Sequence, residues 1–329
     1  MKIAVRKKIS VVLAMVTALS LVGCSNEPSE SDFDNPLPWH DSLELAPTGS
    51  YEKLEYSVAI YDTTKGVADD KRVQIAAGAM HFELNEQANG YTTLDTVFSV
   101  TYNESAPEED RNLTDEITST VEFETNSLDA KSMEKTVSLA DRKDVKNLSY
   151  RLTADYFTHK ATYLQTKVDG AKEKTRSLPR DACRDNEMMF FLARAQKIGK
   201  NSSTMFKMIN VFDSFLKGET AEYTMSISGA ASKKTIDIGN WVSEFGVEGE
   251  SNAMMNTTTY SVVCYSVNIA ISSENSGPPY TVLYTENPFK KNEKEHGKIP
   301  VKISYPQYRG GSPYRVTEYI LTGCSFDNE

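Results

Sequence analysis

The 329-residue chain holds four cysteines and four histidines, the side chains whose spacing says most about possible chemistry. A metal ion needs three or four ligands at about 2.0–2.3 Å, which calls for clustered His, Cys or carboxylates. His40, His81, His159 and His296 are far apart in sequence, and none stands in an HExxH or comparable spacing. They read as surface or strand-edge histidines, and no metal site is expected. An α/β hydrolase would carry a GxSxG elbow, and a phosphate-binding loop would carry GxxxxGK or GxGxxG; the chain has none of these. Its 46 carboxylates make chance pairs unavoidable, so a glycosidase pair has no specific support. The chain therefore reads as non-enzymatic, with no catalytic residue and no cofactor, and a hydrolase with a site constructed by folding is the third alternative.

Apart from Cys24, the thiols are Cys183, Cys264 and Cys324, and three cannot all pair within one chain. Cys264 and Cys324 lie on late strands that, as neighbours, would form a disulfide; two buried free thiols are the equal alternative. Cys183 precedes a helix whose N-terminus would lower its pKa, but no His stands nearby in sequence to make it a nucleophile.

Cys24 has a different setting. Lys2, Arg6, Lys7 and Lys8 form a basic start, and Ile9 to Val22 an apolar run broken only by Ser and Thr. Fourteen residues are too few to span a hydrocarbon core, which needs about 20 in a helix, so the run reads as an export signal. Leu21-Val22-Gly23-Cys24 resembles the lipobox of bacterial lipoproteins, which implies cleavage of residues 1–23 and acylation of Cys24. Two or three acyl chains, at about 0.8 kcal/mol per buried methylene, hold a chain to a membrane without a basic patch. Ser25, where an inner-membrane retention Asp would stand, points to the outer membrane of a two-membrane cell, facing the periplasm or the surface; in a one-membrane cell the anchor lies on the outer face.

The full chain has a net charge of −10, and cleavage before Cys24 removes four basic and no acidic residues, leaving −14. That balance argues against a nucleic-acid partner, which needs clustered Lys and Arg, and suits a body tethered away from an anionic surface. Residues 24–48, rich in Ser, Glu, Asp, Asn and Pro, read as the acylated Cys and a flexible spacer. Trp39 within it either docks on the body or is loosely held.

Residues 49–329 are expected to form one β-rich domain. Ile117, Ser119, Val121 and Phe123 alternate with polar residues, as do Tyr150, Leu152, Ala154 and Tyr156, then Tyr223, Met225 and Ile227, and finally Ile299, Val301, Ile303 and Tyr305. Period-two alternation marks antiparallel strands with one wet face. Asn89-Gly90 and Gly310-Gly311 supply the positive φ angles of hairpin turns. Tyr260 to Ile271 is apolar on both faces, the pattern of a strand covered on both sides. Asp185 caps a helix expected over Asn186–Ile198, stopped at Gly199, with Met188, Phe191, Leu192 and Ala195 packing on the sheet. Residues 205–216 fit a helix or a strand, and strand is favoured. Inward aromatics either line a cavity or fill a dry core.

The order of elements resembles a family of bacterial envelope proteins of the domain-of-unknown-function class, built as a large curved antiparallel sheet. The resemblance rests on Leu54–Val58, Gly78–Leu84, Asp185–Leu192, the strand holding Cys264 and Ile299–Ile303. More distantly, the architecture is similar to half-barrel lipoprotein carriers of the LolA, LolB and LppX type, whose concave face binds acyl chains. The fold expected is mainly β: a single large curved antiparallel sheet or open half-barrel with one or two helices packed on it. The function expected is a membrane-anchored lipoprotein that binds or shields an apolar or lipidic ligand. The alternative is a structural module holding another envelope protein by a sheet edge or convex face.

Overall fold

The computed structural model describes residues 51–140, 149–166, 169–179, 183–194, 203–209, 211, 222–247, 249–252, 259–272, 279–309 and 312–326. Cys24, Trp39, His40 and the expected signal and spacer lie outside them.

Alternation turns into strands along the whole body. The first flank contains β1 (Tyr51–Asp62), β2 (Val73–Glu86), β3 (Tyr91–Tyr102), β4 (Thr114–Glu124), β5 (Ala130–Ser138), β6 (Tyr150–Asp155), β7 (Lys160–Gln165) and β8 (Lys174–Ser177). After the helix α1 (Met189–Arg194) come β9 (Ser203–Ile209), β10 (Glu222–Gly239), β11 (Gly249–Asn252), β12 (Thr259–Ser272) and β13 (Tyr280–Thr285). A two-stranded hairpin, β14 (Phe289–Lys291) with β15 (Lys294–His296), precedes β16 (Pro300–Arg309) and β17 (Ser312–Ser325). All but that hairpin join one 15-stranded antiparallel sheet, in the order β8-β7-β6-β5-β4-β3-β2-β1-β17-β16-β13-β12-β10-β9, with β11 added on β12. The fold is thus mainly β, as expected.

The sheet's centre is the pairing of the first described strand with the last. Leu54, Tyr56, Val58 and Ile60 of β1 point to the buried side, and their neighbours on β17 and β2 follow in register. On β2, Gly78 stands between Val58 and Val100 because the backbone approaches closely there: a Cβ would lie 1.9 Å from the Ser99 carbonyl oxygen. The curl is strong enough that the rings of Phe98 on β3 and Tyr319 on β17 meet at 6.3 Å, although β1 and β2 lie between their strands. At the Asn89-Gly90 turn, Gly90 has φ 83° and the Asn89 side chain accepts from the Tyr91 amide at 3.1 Å. Arg309 pairs with Ser312 across the second expected turn, whose two glycines are outside the described residues.

The expected helix begins as a 3-10 turn, Asn186–Met188, leading into α1. Residues 195–199 lie outside the described set. Asp185 caps it as predicted, its Oδ1 accepting from the Glu187 amide at 2.8 Å. It packs on the sheet as expected, and Met188, Met189, Phe191, Leu192, Ala193 and Arg194 are all buried, so the curled sheet covers more of it than its apolar stripe alone. Phe191 meets Phe82 of β2 edge-on at 5.6 Å, and Phe190 meets Tyr280 of β13 at 5.5 Å. Just before it, Cys183 and Arg184 act as a strap: their carbonyls accept from the Ala130 amide of β5 at 2.6 Å and the Ile209 amide of β9 at 2.8 Å, linking the two flanks.

Residues 203–209 form a strand, with Met208 and Ile209 buried; Phe212, Phe215 and Leu216 are outside the described residues. On β12, Tyr260, Val262 and Cys264 are buried on one face and Val267 and Ile269 on the other, so the strand is covered on both sides by halves.

Candidate functional site

The two ends of α1 meet different surroundings. Its C-terminal end is sealed. The Arg194 guanidinium donates to both oxygens of Glu52 on β1 at 2.5 and 3.0 Å, and to the Gly297 carbonyl at 3.0 Å. The side chains of this pair are 1% and 0% exposed. Lys298 donates to the Arg194 carbonyl at 3.2 Å, and burial, then the Arg194 charge, push its ammonium down to about 8. Below this lies an aromatic floor: Phe245 stacks on Phe289 at 5.7 Å and meets Phe326 edge-on at 5.4 Å, while His296 stacks on Phe326 at 3.8 Å. Tyr56 and Tyr284 complete the seal, donating to the carbonyls of Pro300 at 2.7 Å and Phe190 at 3.1 Å.

The N-terminal end is polar on one side. Tyr156 donates to Asp185 at 2.5 Å, and Lys135 of β5 donates to Glu187 at 2.6 Å. Burial, followed by the Glu187 charge, holds the Asp185 carboxyl well above the usual carboxylate range. On the other side is a half-open aromatic recess. Phe98, Ile117, Phe190, Tyr280 and Tyr319 pack against the core yet keep accessible surface, and half-buried Tyr305 lies beside them. Tyr280 and Tyr305 stack at 4.3 Å with 16° between their planes. Burial raises the Tyr280 and Tyr319 hydroxyls well above the ordinary tyrosine value, and the nearby Tyr305 adds to both. These rings are therefore partly enclosed by the core while still presenting surface. Among the described residues, no group hydrogen-bonds to the hydroxyls of Tyr280, Tyr305 or Tyr319.

The residues singled out from sequence do not converge here. His81 is half-buried on β2, His159 occupies a turn at φ 51°, and His296 is buried against Phe326 instead of lying at a surface or strand edge. Among the described residues no three His, Cys, Asp or Glu side chains are grouped to hold a metal. Cys183, Cys264 and Cys324 are free thiols. The Cys264–Cys324 disulfide is not formed, because β13 and β16 separate β12 from β17 in the sheet. The thiol of Cys183 is pushed up to about 12 by burial and its 2.7 Å hydrogen bond to Asp129, the reverse of activation by a helix N-terminus. The recess itself was missed: its members are ordinary inward strand residues, and only their shared location distinguishes them.

No protein-family model matches the chain, and no curated protein does. Among solved structures, the chain is similar, at 14% identity and a TM-score of 0.48 over 86% of its length and the whole of the other chain, to a β-barrel-like protein of domain of unknown function DUF1849 from Brucella abortus.

Proposed function

We propose that this is an exported lipoprotein, anchored to a membrane through acyl chains on Cys24, whose β body binds an apolar or lipidic ligand without catalysing a reaction. The observation that carries the binding reading is the recess: aromatic side chains at the core of a curled sheet that keep surface exposed. Burying a large apolar side chain contributes about 1.5–3 kcal/mol, so rings left half-open offer that gain to a ligand. The anchor rests on the basic start, the 14-residue apolar run and Leu21-Val22-Gly23-Cys24. Native mass spectrometry of the chain extracted from membranes is expected to reveal a mass increase at Cys24 and a co-purifying apolar molecule. An unacylated chain would remove the first part, and an empty body that takes up no amphiphile the second.

The assembly reading is favoured by one feature, β8. It ends the sheet and has all four side chains exposed, so it offers an edge to another envelope protein. A stoichiometric protein partner lost on substituting Thr175 with Pro would favour it.

A further inference from the structure

Three tyrosine hydroxyls of the recess are bonded to no other described residue. Tyr280, Tyr305 and Tyr319 come from three adjacent strands, β13, β16 and β17; the first two rings stack at 4.3 Å, and Tyr319 opposes Ile303, one same-face position from Tyr305. Hydroxyls at neutral pH are donors as well as acceptors. Tyr56 and Tyr284, deeper in the same interior, each donate to a backbone carbonyl, whereas these three have no partner among the described residues.

Two cations stand further along the same strand pair, Arg309 on β16 and Arg315 on β17. In the β16–β17 register Tyr305 opposes Thr317 and Gln307 opposes Arg315, so Arg315 is one same-face position, about 7 Å, beyond Thr317. The guanidiniums of Arg309 and Arg315 both lie over the Tyr314 ring, 4.7 and 5.8 Å from its centroid. Arg315 is 3.4 Å from Asp110 and close to Asp62. Arg309 is exposed, and no ion pair of its own is formed among the described residues.

We infer that the recess binds an amphiphile with an anionic, acceptor-rich head, held by the hydroxyls of Tyr280, Tyr305 and Tyr319 with Arg309 and Arg315 towards the far end of β16 and β17, and with its apolar part against Phe98, Ile117 and Phe190. This rests on the ligand-binding reading above and adds the polarity and orientation of the ligand. Hydrogen bonds to a charged acceptor are about twice as strong as neutral ones, so an anion gains most from donors that lack an internal acceptor.

The test is native mass spectrometry of the acylated full chain released from detergent, titrated with oleate, oleyl alcohol and oleylamine. One oleate per chain is expected, held about tenfold or more tightly than oleylamine, with the alcohol between them. Tyr280→Phe with Tyr319→Phe keeps both rings and is expected to weaken oleate about tenfold while leaving oleylamine within about twofold. Arg309→Gln, on an exposed side chain and thus no threat to folding, is expected to weaken oleate alone, by about threefold. Equal retention of oleate and oleylamine, or oleate binding unchanged in both variants, overturns the head assignment while leaving the ligand-binding reading standing. Failure to retain any of the three amphiphiles overturns both.

Discussion

Two sets of tyrosines near opposite ends of α1 differ in how their hydroxyls are met. Tyr56 and Tyr284, at the sealed end, have their rings fully buried and their hydroxyls bonded to backbone carbonyls. Tyr280, Tyr305 and Tyr319, at the other end, are half-buried with hydroxyls that no described residue meets. A buried polar atom without a partner costs free energy, so the sealed end had to satisfy its hydroxyls internally. The recess avoids that cost by remaining open to solvent or a ligand. One end of the helix therefore stabilises the fold, and the other offers surface.

That division can be broken most severely at Glu52. Glu52→Ala leaves the Arg194 guanidinium buried without its carboxylate and is expected to lower the unfolding free energy by about 3–5 kcal/mol, measured by urea denaturation. The paired change Glu52→Leu with Arg194→Met should recover most of that loss, because well-packed apolar residues replace a buried ion pair at little cost. Gly78→Ala probes the curl that brings the two flanks together. With the Ser99 carbonyl 1.9 Å from the new Cβ, the backbone must shift, and a loss of roughly 1–3 kcal/mol is expected in the same assay.

The tyrosines sharpen the contrast directly. Tyr284→Phe removes the donor from the Phe190 carbonyl and should cost about 1–2 kcal/mol, whereas Tyr319→Phe should change stability by less than about 0.5 kcal/mol. Equal losses would erase the distinction between the two ends.

The pH dependence should separate them by the smallest margin. Asp185 has its pKa raised in the fold, so the folded state binds the proton more tightly than the unfolded one. Its contribution is fully present below about pH 4 and is lost as the pH rises towards neutrality. Lys298, with its pKa lowered to about 8, works in the opposite sense: stability rises between about pH 8 and 10.5 as the unfolded state gives up the proton that the folded state has already lost. Asp185→Asn should flatten the acid-side slope, and Lys298→Met the alkaline one, in unfolding curves recorded across pH.

Much of the β architecture was legible because strand burial is local. Ser119, Val121 and Phe123 announce a one-sided strand by alternation alone, and Asp185 announces a cap by standing one residue ahead of the turn whose amide it binds. The helix packs on the sheet as expected, but periodicity records only apolar spacing, and a segment enclosed by a curled sheet buries Ala193 and Arg194 as well. Arg194 carried no signal of burial, since its compensating carboxylate is 142 residues away. The same distance effect hid the recess and undid the Cys264–Cys324 pairing, where sequence proximity of late strands did not translate into adjacency in the sheet.

The sequence by itself determined the strand-forming alternation, the cap at Asp185, the acidic charge and the setting of Cys24, because each depends on neighbours a few residues apart. Only the tertiary structure decided which tyrosines were sealed and which were left open, which charges were buried in pairs, and which thiols were kept apart. Those outcomes depend on how far the sheet curls and where the chain enters its interior, and both are set by contacts between residues more than a hundred positions apart.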